Sequence, residues 1–166
     1  MFEFGRVLAS VAAATVIVAI AAGTVTASAP TSPLAQLAGR WAGPGVVVPY
    51  SGRSENFKCV VTYFSGSDGT KVRQNLRCRN ENYRLDAATH LVILGSEVRG
   101  HWRENTHSLE GTVAGIVTAD GFDVVLAGRF FQARMAVAGV DCQQSVKVVP
   151  ARADQFREIV ASLKRC

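Results

Sequence analysis

From Trp41 to Val149 apolar and polar residues alternate with a period of two, the signature of strands that turn one face to a core and one to water. In Glu55–Phe64 the residues Phe57, Cys59, Val61 and Tyr63 share one face. The turn-forming Ser65-Gly66-Ser67-Asp68-Gly69 follows. Val72, Gln74, Leu76 and Cys78 then share a face, set against Lys71, Arg73, Asn75, Arg77 and Arg79 on the other. The two runs predict a hairpin whose inner faces carry one Cys each.

Further strands are predicted at Val46–Tyr50, Asn82–Asp86, Leu91–Leu94, Glu97–Glu104, Leu109–Val117, Phe122–Ala127, Phe130–Val137 and Gln143–Val149. The breaks are Asp86-Ala87-Ala88, Gly95-Ser96, Asn105-Thr106, Asp120-Gly121 and Gly139. Short strands spaced about 8–12 residues apart point to an all-β fold, a sandwich or a closed antiparallel up-and-down barrel, here of about 8–10 strands. Glycines inside strand patterns, at Gly100, Gly111, Gly115 and Gly128, suit the sharp bends of a small barrel. After Pro150 the pattern changes. Phe156, Ile159, Val160 and Leu163 recur at i, i+3, i+4 and i+7, predicting a C-terminal helix over 151–166 with Lys164 and Arg165 in its last turn.

The first thirty residues differ in kind. Val7–Ala22 is apolar except for Ser10 and Thr15, a run shorter than the ~20 residues of a spanning helix and close to a signal-peptide core. Val25-Thr26-Ala27 fits a small-x-small cleavage pattern, so residues 1–27 are expected to be a signal peptide, with an uncleaved anchor as the alternative. That segment is the only contact with a membrane the sequence predicts. Residues 28–38, with Pro30 and Pro33, suit a flexible leader before a barrel over 39–150. Cleavage removes one base, Arg6, and one acid, Glu3, so the net charge stays +5 and favours anionic partners.

Four cysteines behind an export signal read as disulfides in a periplasmic or secreted protein. Sequence order favours Cys59–Cys78, between neighbouring strands, and Cys142–Cys166, tying the last element to the sheet. A zinc site needs closely spaced ligand pairs, and none is present.

Catalytic signals are few. His90, His101 and His107 are the only histidines, and their spacing fixes no ligand geometry. There is no Gly-x-Ser-x-Gly elbow, and Asp120 and Asp123 beside Gly121 read as turn chemistry. No phosphate-binding loop or dinucleotide fingerprint occurs. The expectation is therefore not an enzyme, with no cofactor and no metal. The most functional feature is the basic strand Lys71, Arg73, Arg77 and Arg79, joined by Arg84 and Tyr83. Its Arg forks suit phosphate or carboxylate. With few aromatics interleaved, nucleic acid is not the expected partner.

Two family likenesses enter on specific residues. Gly39-Arg40-Trp41 resembles the Gly-x-Trp opening of lipocalin and related calycin barrels. There the Trp closes the floor beneath a basic side chain from the last strand, a place the resemblance gives to Lys147 or Arg152. Small bacterial metalloprotease inhibitors use a similar barrel with an early disulfide, to which Cys59–Cys78 is similar. Second, Trp41-Ala42-Gly43, Cys59-Val60-Val61-Thr62-Tyr63, Gln74-Asn75-Leu76-Arg77-Cys78 and Gly100-His101-Trp102-Arg103-Glu104 together resemble a family of small exported proteins of Gram-negative bacteria without an established activity. That likeness supports location and fold, with Trp41 and Trp102 structural.

The leading expectation is thus a non-enzymatic module that holds a lipid or other anionic amphipathic envelope ligand in a calycin-like barrel, its acidic head near Lys71, Arg73, Arg77, Arg79 and Arg84. It expects a cavity of about 300–1,000 Å³. The alternative is an interaction module or inhibitor acting on a protease or cell-wall hydrolase, with a packed barrel and an exposed Pro44–Tyr50 segment. A third is a structural envelope protein without a ligand.

Overall fold

The computed structural model describes residues 33–66, 69–152 and 156–166. The signal-peptide expectation lies outside these residues. A short helix, α1 (Pro33–Gln36), is followed by ten strands. They are β1 (Gly39–Val48), β2 (Glu55–Ser65), β3 (Lys71–Arg79), β4 (Arg84–Leu94) and β5 (Glu97–Glu104). The second half comprises β6 (Leu109–Val117), β7 (Gly121–Gly128), β8 (Gln132–Val140), β9 (Gln143–Pro150) and β10 (Glu158–Lys164). Each strand pairs antiparallel with its sequence neighbours, and β10 pairs with β1, closing an up-and-down barrel without free edges.

The alternation predicted for the first hairpin is observed. Phe57, Cys59, Val61 and Tyr63 of β2 and Val72, Gln74 and Cys78 of β3 are buried, while Arg73, Arg77 and Arg79 are exposed. Cys59 stands opposite Cys78 in the β2–β3 register and is bonded to it; Cys142 is bonded to Cys166. Both expected pairings are therefore present. An oily interior and a charged exterior reverse the alternation of a membrane-spanning barrel, whose apolar residues face outward.

Three expectations need correction. The C-terminal helix is instead β10: Val160 pairs with Val46 on one side and Lys147 on the other. Ile159-Val160-Ala161 is a continuous apolar run, and a short run satisfies helical and strand spacing alike. The backbone groups of β1 and β9 decide the matter, because without β10 both would be unpaired edges. Second, the strands expected at Asn82–Asp86 and Leu91–Leu94 merge into one strand, β4, which begins at Arg84. Asp86-Ala87-Ala88 pairs without interruption with Arg77-Leu76-Asn75, and Asp86 is held by an ion pair to Arg77 rather than by a turn. Third, the first strand begins at Gly39, not Val46. Gly43-Pro44-Gly45 runs through β1, paired with Cys59-Lys58-Phe57 of β2, and position 43 suits Gly because a Cβ there would stand 2.2 Å from the Ser162 carbonyl oxygen of β10.

The barrel floor lies where the chain enters. Residues 33–38, expected in a flexible leader, carry the buried Leu34 and Leu37, which plug that end. The Trp41 Nε1–H donates to the Leu37 carbonyl at 2.8 Å. The Arg165 guanidinium lies 4.6 Å from the Trp41 ring centroid and donates to the Gln36 carbonyl at 2.7 Å. The basic residue over the Trp is therefore Arg165. Lys147 is on the outer wall, paired with Glu158 at 3.0 Å, and Arg152 follows Pro150 at the opposite end.

Above this floor the interior is packed most tightly near the chain entry, while the inward-facing Leu76, Leu85, Leu126, Val146, Val148 and Ala161 are only partly buried. Trp41, Val61, Val98, Phe122, Val124, Val137 and Leu163 each have less than 2% of their surface exposed. A larger concavity opens on the outer wall, and a smaller one opens beside the inward-facing Trp102.

Candidate functional site

The larger concavity is a groove of about 660 Å³ across the outer face of β1–β4, lined by Arg40, Lys58, Arg77, Arg79, Arg84 and Asp86 with Ala42 and Val60. Strand register builds it. Lys58 stands opposite Arg79, and Arg79 opposite Arg84, so three cations form one cross-strand row. The next row is Val60, Arg77 and Asp86, with Arg77 Nε 3.3 Å from the Asp86 carboxylate. Arg77–Asp86 is the groove's one ion pair among the described residues; no carboxylate lies within pairing distance of Arg40, Lys58, Arg79 or Arg84. Like charges directly opposite one another in a sheet are destabilising, by about 0.2–1 kcal/mol per pair. The row thus gathers three like charges in adjacent register positions.

Of the residues expected to bind, the structure brings together Arg77, Arg79 and Arg84. Lys71 and Arg73 share the outer face of β3 but lie toward the floor, outside the groove, where Arg73 stacks 4.4 Å over the Phe64 ring. Sequence reasoning missed Arg40 and Lys58. The signal for Lys58 was available: once Cys59 faces Cys78 in a hairpin, the preceding residue must face Arg79. Arg40 depends on the β1–β2 register, which no local pattern announces. Trp41 and Trp102 are buried, as expected of structural residues.

Beside the groove, at the end opposite the floor, Glu104, His107 and Tyr83 form a connected set. The buried Glu104 carboxylate accepts from the backbone N–H groups of Thr106 at 2.8 Å, His107 at 2.7 Å and Asp86 at 3.2 Å. Burial alone would raise its pKa, but these bonds and one from the Thr106 hydroxyl outweigh it and hold the carboxyl at about 2. Its Oε2 also lies 2.8 Å from His107 Nδ1, while His107 Nε2 lies 3.1 Å from the Tyr83 hydroxyl. An ionised carboxylate makes Nδ1 the donor, leaving Nε2 to accept from the phenol. Burial, followed by the charges of Glu104 and Glu55, raises the Tyr83 pKa. The set locks the β5–β6 turn onto β4 and fixes Tyr83 beside Arg84. It presents no activated nucleophile to the groove.

The other histidines stack face to face outside β4 and β5, His90 on His101 with centroids 5.0 Å apart. Among the described residues no three His, Cys, Asp or Glu side chains converge as metal ligands. A second, smaller concavity of about 210 Å³ opens near Trp102, Leu109, Gly128 and Phe130. Within the barrel, Gln74 Nε2 donates to the Tyr63 hydroxyl at 3.2 Å, and burial pushes that phenol well above its ordinary pKa.

No family model matches this chain, and no curated protein matches it. The site therefore carries the functional reading on its own chemistry.

Proposed function

We propose that this protein is a non-enzymatic binding module for an anionic, amphipathic envelope ligand, held on the outer face of β1–β4 rather than inside the barrel. The observation that carries the reading is the row Lys58–Arg79–Arg84, three cations in register without a carboxylate partner among the described residues. Arg forks bind phosphate or carboxylate through paired hydrogen bonds. Ala42 and Val60 in the same groove offer an apolar strip to a short acyl or alkyl portion. The two disulfides fit an oxidising compartment, which supports reading residues 1–27 as a signal peptide and the protein as periplasmic or secreted. The Trp41–Arg165 stack at the floor supports a calycin-like relationship.

Titration with inorganic pyrophosphate and with dihexanoylphosphatidic acid, followed by amide chemical shifts, tests this. Both should perturb β2–β4, the lipid more tightly, and Arg79→Gln with Arg84→Gln should weaken both at least ~10-fold. Unchanged binding in that variant would sink the proposal. The exposed Tyr50 favours a second reading, an interaction module or inhibitor acting on an envelope hydrolase. It expects capture of a protein from envelope extract that Tyr50→Ser abolishes.

A further inference from the structure

The loops at the two ends of the barrel differ in kind. At the floor end the described turn residues 66, 69–70, 95–96, 118–120 and 141–142 include Asp120 and Asp141, with no Lys, no Arg and no aromatic residue among them. At the far end the described residues of the loops 49–54, 80–83, 105–108, 129–131, 151–152 and 156–157 carry Arg53, Arg129, Arg152 and Arg157 against Glu81. Those loops also carry exposed rings, Tyr50 at 55%, Tyr83 at 45% and Phe130 at 66% exposure. The remaining exposed aromatic among the described residues, Phe64, lies under Arg73 on the outer wall. Behind Phe130, the half-buried Phe131 and Phe156 pack with centroids 6.5 Å apart, giving the rim a firm base.

We propose that this rim docks on an anionic lipid membrane surface, the rings seated at headgroup level and the arginines on lipid phosphates. Amphipathic aromatic rings favour the membrane–water interface, and Arg favours an anionic leaflet. The rings fix the orientation, because the described turns at the other end carry no aromatic residue to seat at headgroup level. The layout favours a plane over a protein pocket: Tyr50, Tyr83 and Phe130 sit on three separate loops spread around the rim, not in one contiguous patch. The inference goes beyond the groove, since it rests on the loop tips, although Arg79 and Arg84 lie at the same end and would meet lipid phosphate there.

The test is co-sedimentation with vesicles of phosphatidylcholine, alone or mixed with phosphatidylglycerol, using the purified protein in the form the cell processes it to. Binding to the mixed vesicles should be at least ~10-fold tighter and weaken with salt. Tyr50→Ser with Phe130→Ser should lose at least ~10-fold on vesicles while pyrophosphate binding is unchanged. Equal binding to both vesicle types, or parent-like binding by the Ser pair, overturns the rim inference. If the Ser pair binds vesicles normally but Arg79→Gln with Arg84→Gln does not, the groove reading stands and the rim falls. If the Gln pair keeps its pyrophosphate while the Ser pair loses vesicles, the groove reading falls and the rim stands. A dimer in solution that the Ser pair makes monomeric would assign the rim to a second copy, overturning the proposal.

Discussion

Glu104 shows how one buried charge organises a neighbourhood. Three backbone N–H groups and the His107 ring converge on its carboxylate, joining the start of β4, the β5–β6 turn and Tyr83. Because its pKa is lowered from 4.5 to about 2 by folding, its stabilisation is fully present above about pH 4.5 and is lost as the pH falls toward 2. A shift of that size corresponds to on the order of 3 kcal/mol at neutral pH. Glu104→Gln keeps the shape but supplies a poorer acceptor and a surplus donor. Urea unfolding at pH 7 should show a loss of about 1–3 kcal/mol, and the acid slope between pH 4.5 and 2 should flatten relative to the parent. A variant as stable as the parent at pH 7 would show the carboxylate to be incidental. Gly100 is a separate constraint of the same scale: a Cβ there would lie 1.9 Å from the His90 carbonyl oxygen, so Gly100→Ala must push β5 away from β4.

At the scale of elements, β10 offers the sharpest contrast between pattern and fold. A helix over 151–166 would bury Val160 with Ile159 and Leu163 and leave Ala161 on its flank. The strand instead turns Ala161 and Leu163 inward and Val160 outward, toward its neighbours Val46 and Lys147. Val160→Lys should therefore cost less than about 1 kcal/mol, and Ala161→Lys about 2 kcal/mol or more, because the latter buries a charge in an oily interior. Thermal unfolding of the two variants decides, and the reverse order would restore the helix. What was legible followed from period two and from cysteine pairing: the first hairpin, Glu97–Glu104, Leu109–Val117 and the inner Trp residues all appear as read. What was not legible depended on partners distant in sequence. Gly43-Pro44-Gly45 becomes strand because β2 and β10 flank it, and β10 becomes strand because β1 and β9 flank it. The candidate site divides the same way, with Arg77 and Arg79 visible as a basic strand, Lys58 implied by the hairpin register, and Arg40 brought in only by closure. The disulfides act at this scale too. On the chain-entropy model the Cys59–Cys78 bond, spanning 19 residues, contributes about 3 kcal/mol, so Cys59→Ala with Cys78→Ala should lower the urea midpoint without changing the strand content seen by circular dichroism.

For the whole molecule, the barrel is a closed scaffold whose ends and walls differ: Asp-bearing turns at the floor end, an aromatic and basic rim at the other, and a basic groove running down β1–β4 from that rim. A scaffold of this kind need not open to bind, so the groove must be prepared before the ligand arrives, and preparation means holding Lys58, Arg79 and Arg84 together against their mutual repulsion. Stability and binding should then respond in opposite directions to one change. Arg79→Gln removes the central charge, relieving two unfavourable cross-strand pairs, and should raise the free protein's stability by about 0.3–1 kcal/mol at low salt while weakening pyrophosphate binding. Added salt should screen the repulsion in the parent and shrink the stability difference, which a purely steric effect of the substitution would leave in place. An ordinary solvated face predicts neither trend, since replacing one exposed Arg would leave both stability and anion affinity where they were. Chemical unfolding at two ionic strengths beside one pyrophosphate titration separates the alternatives, and an Arg79→Gln protein less stable than its parent at both would show that the row was never under electrostatic strain.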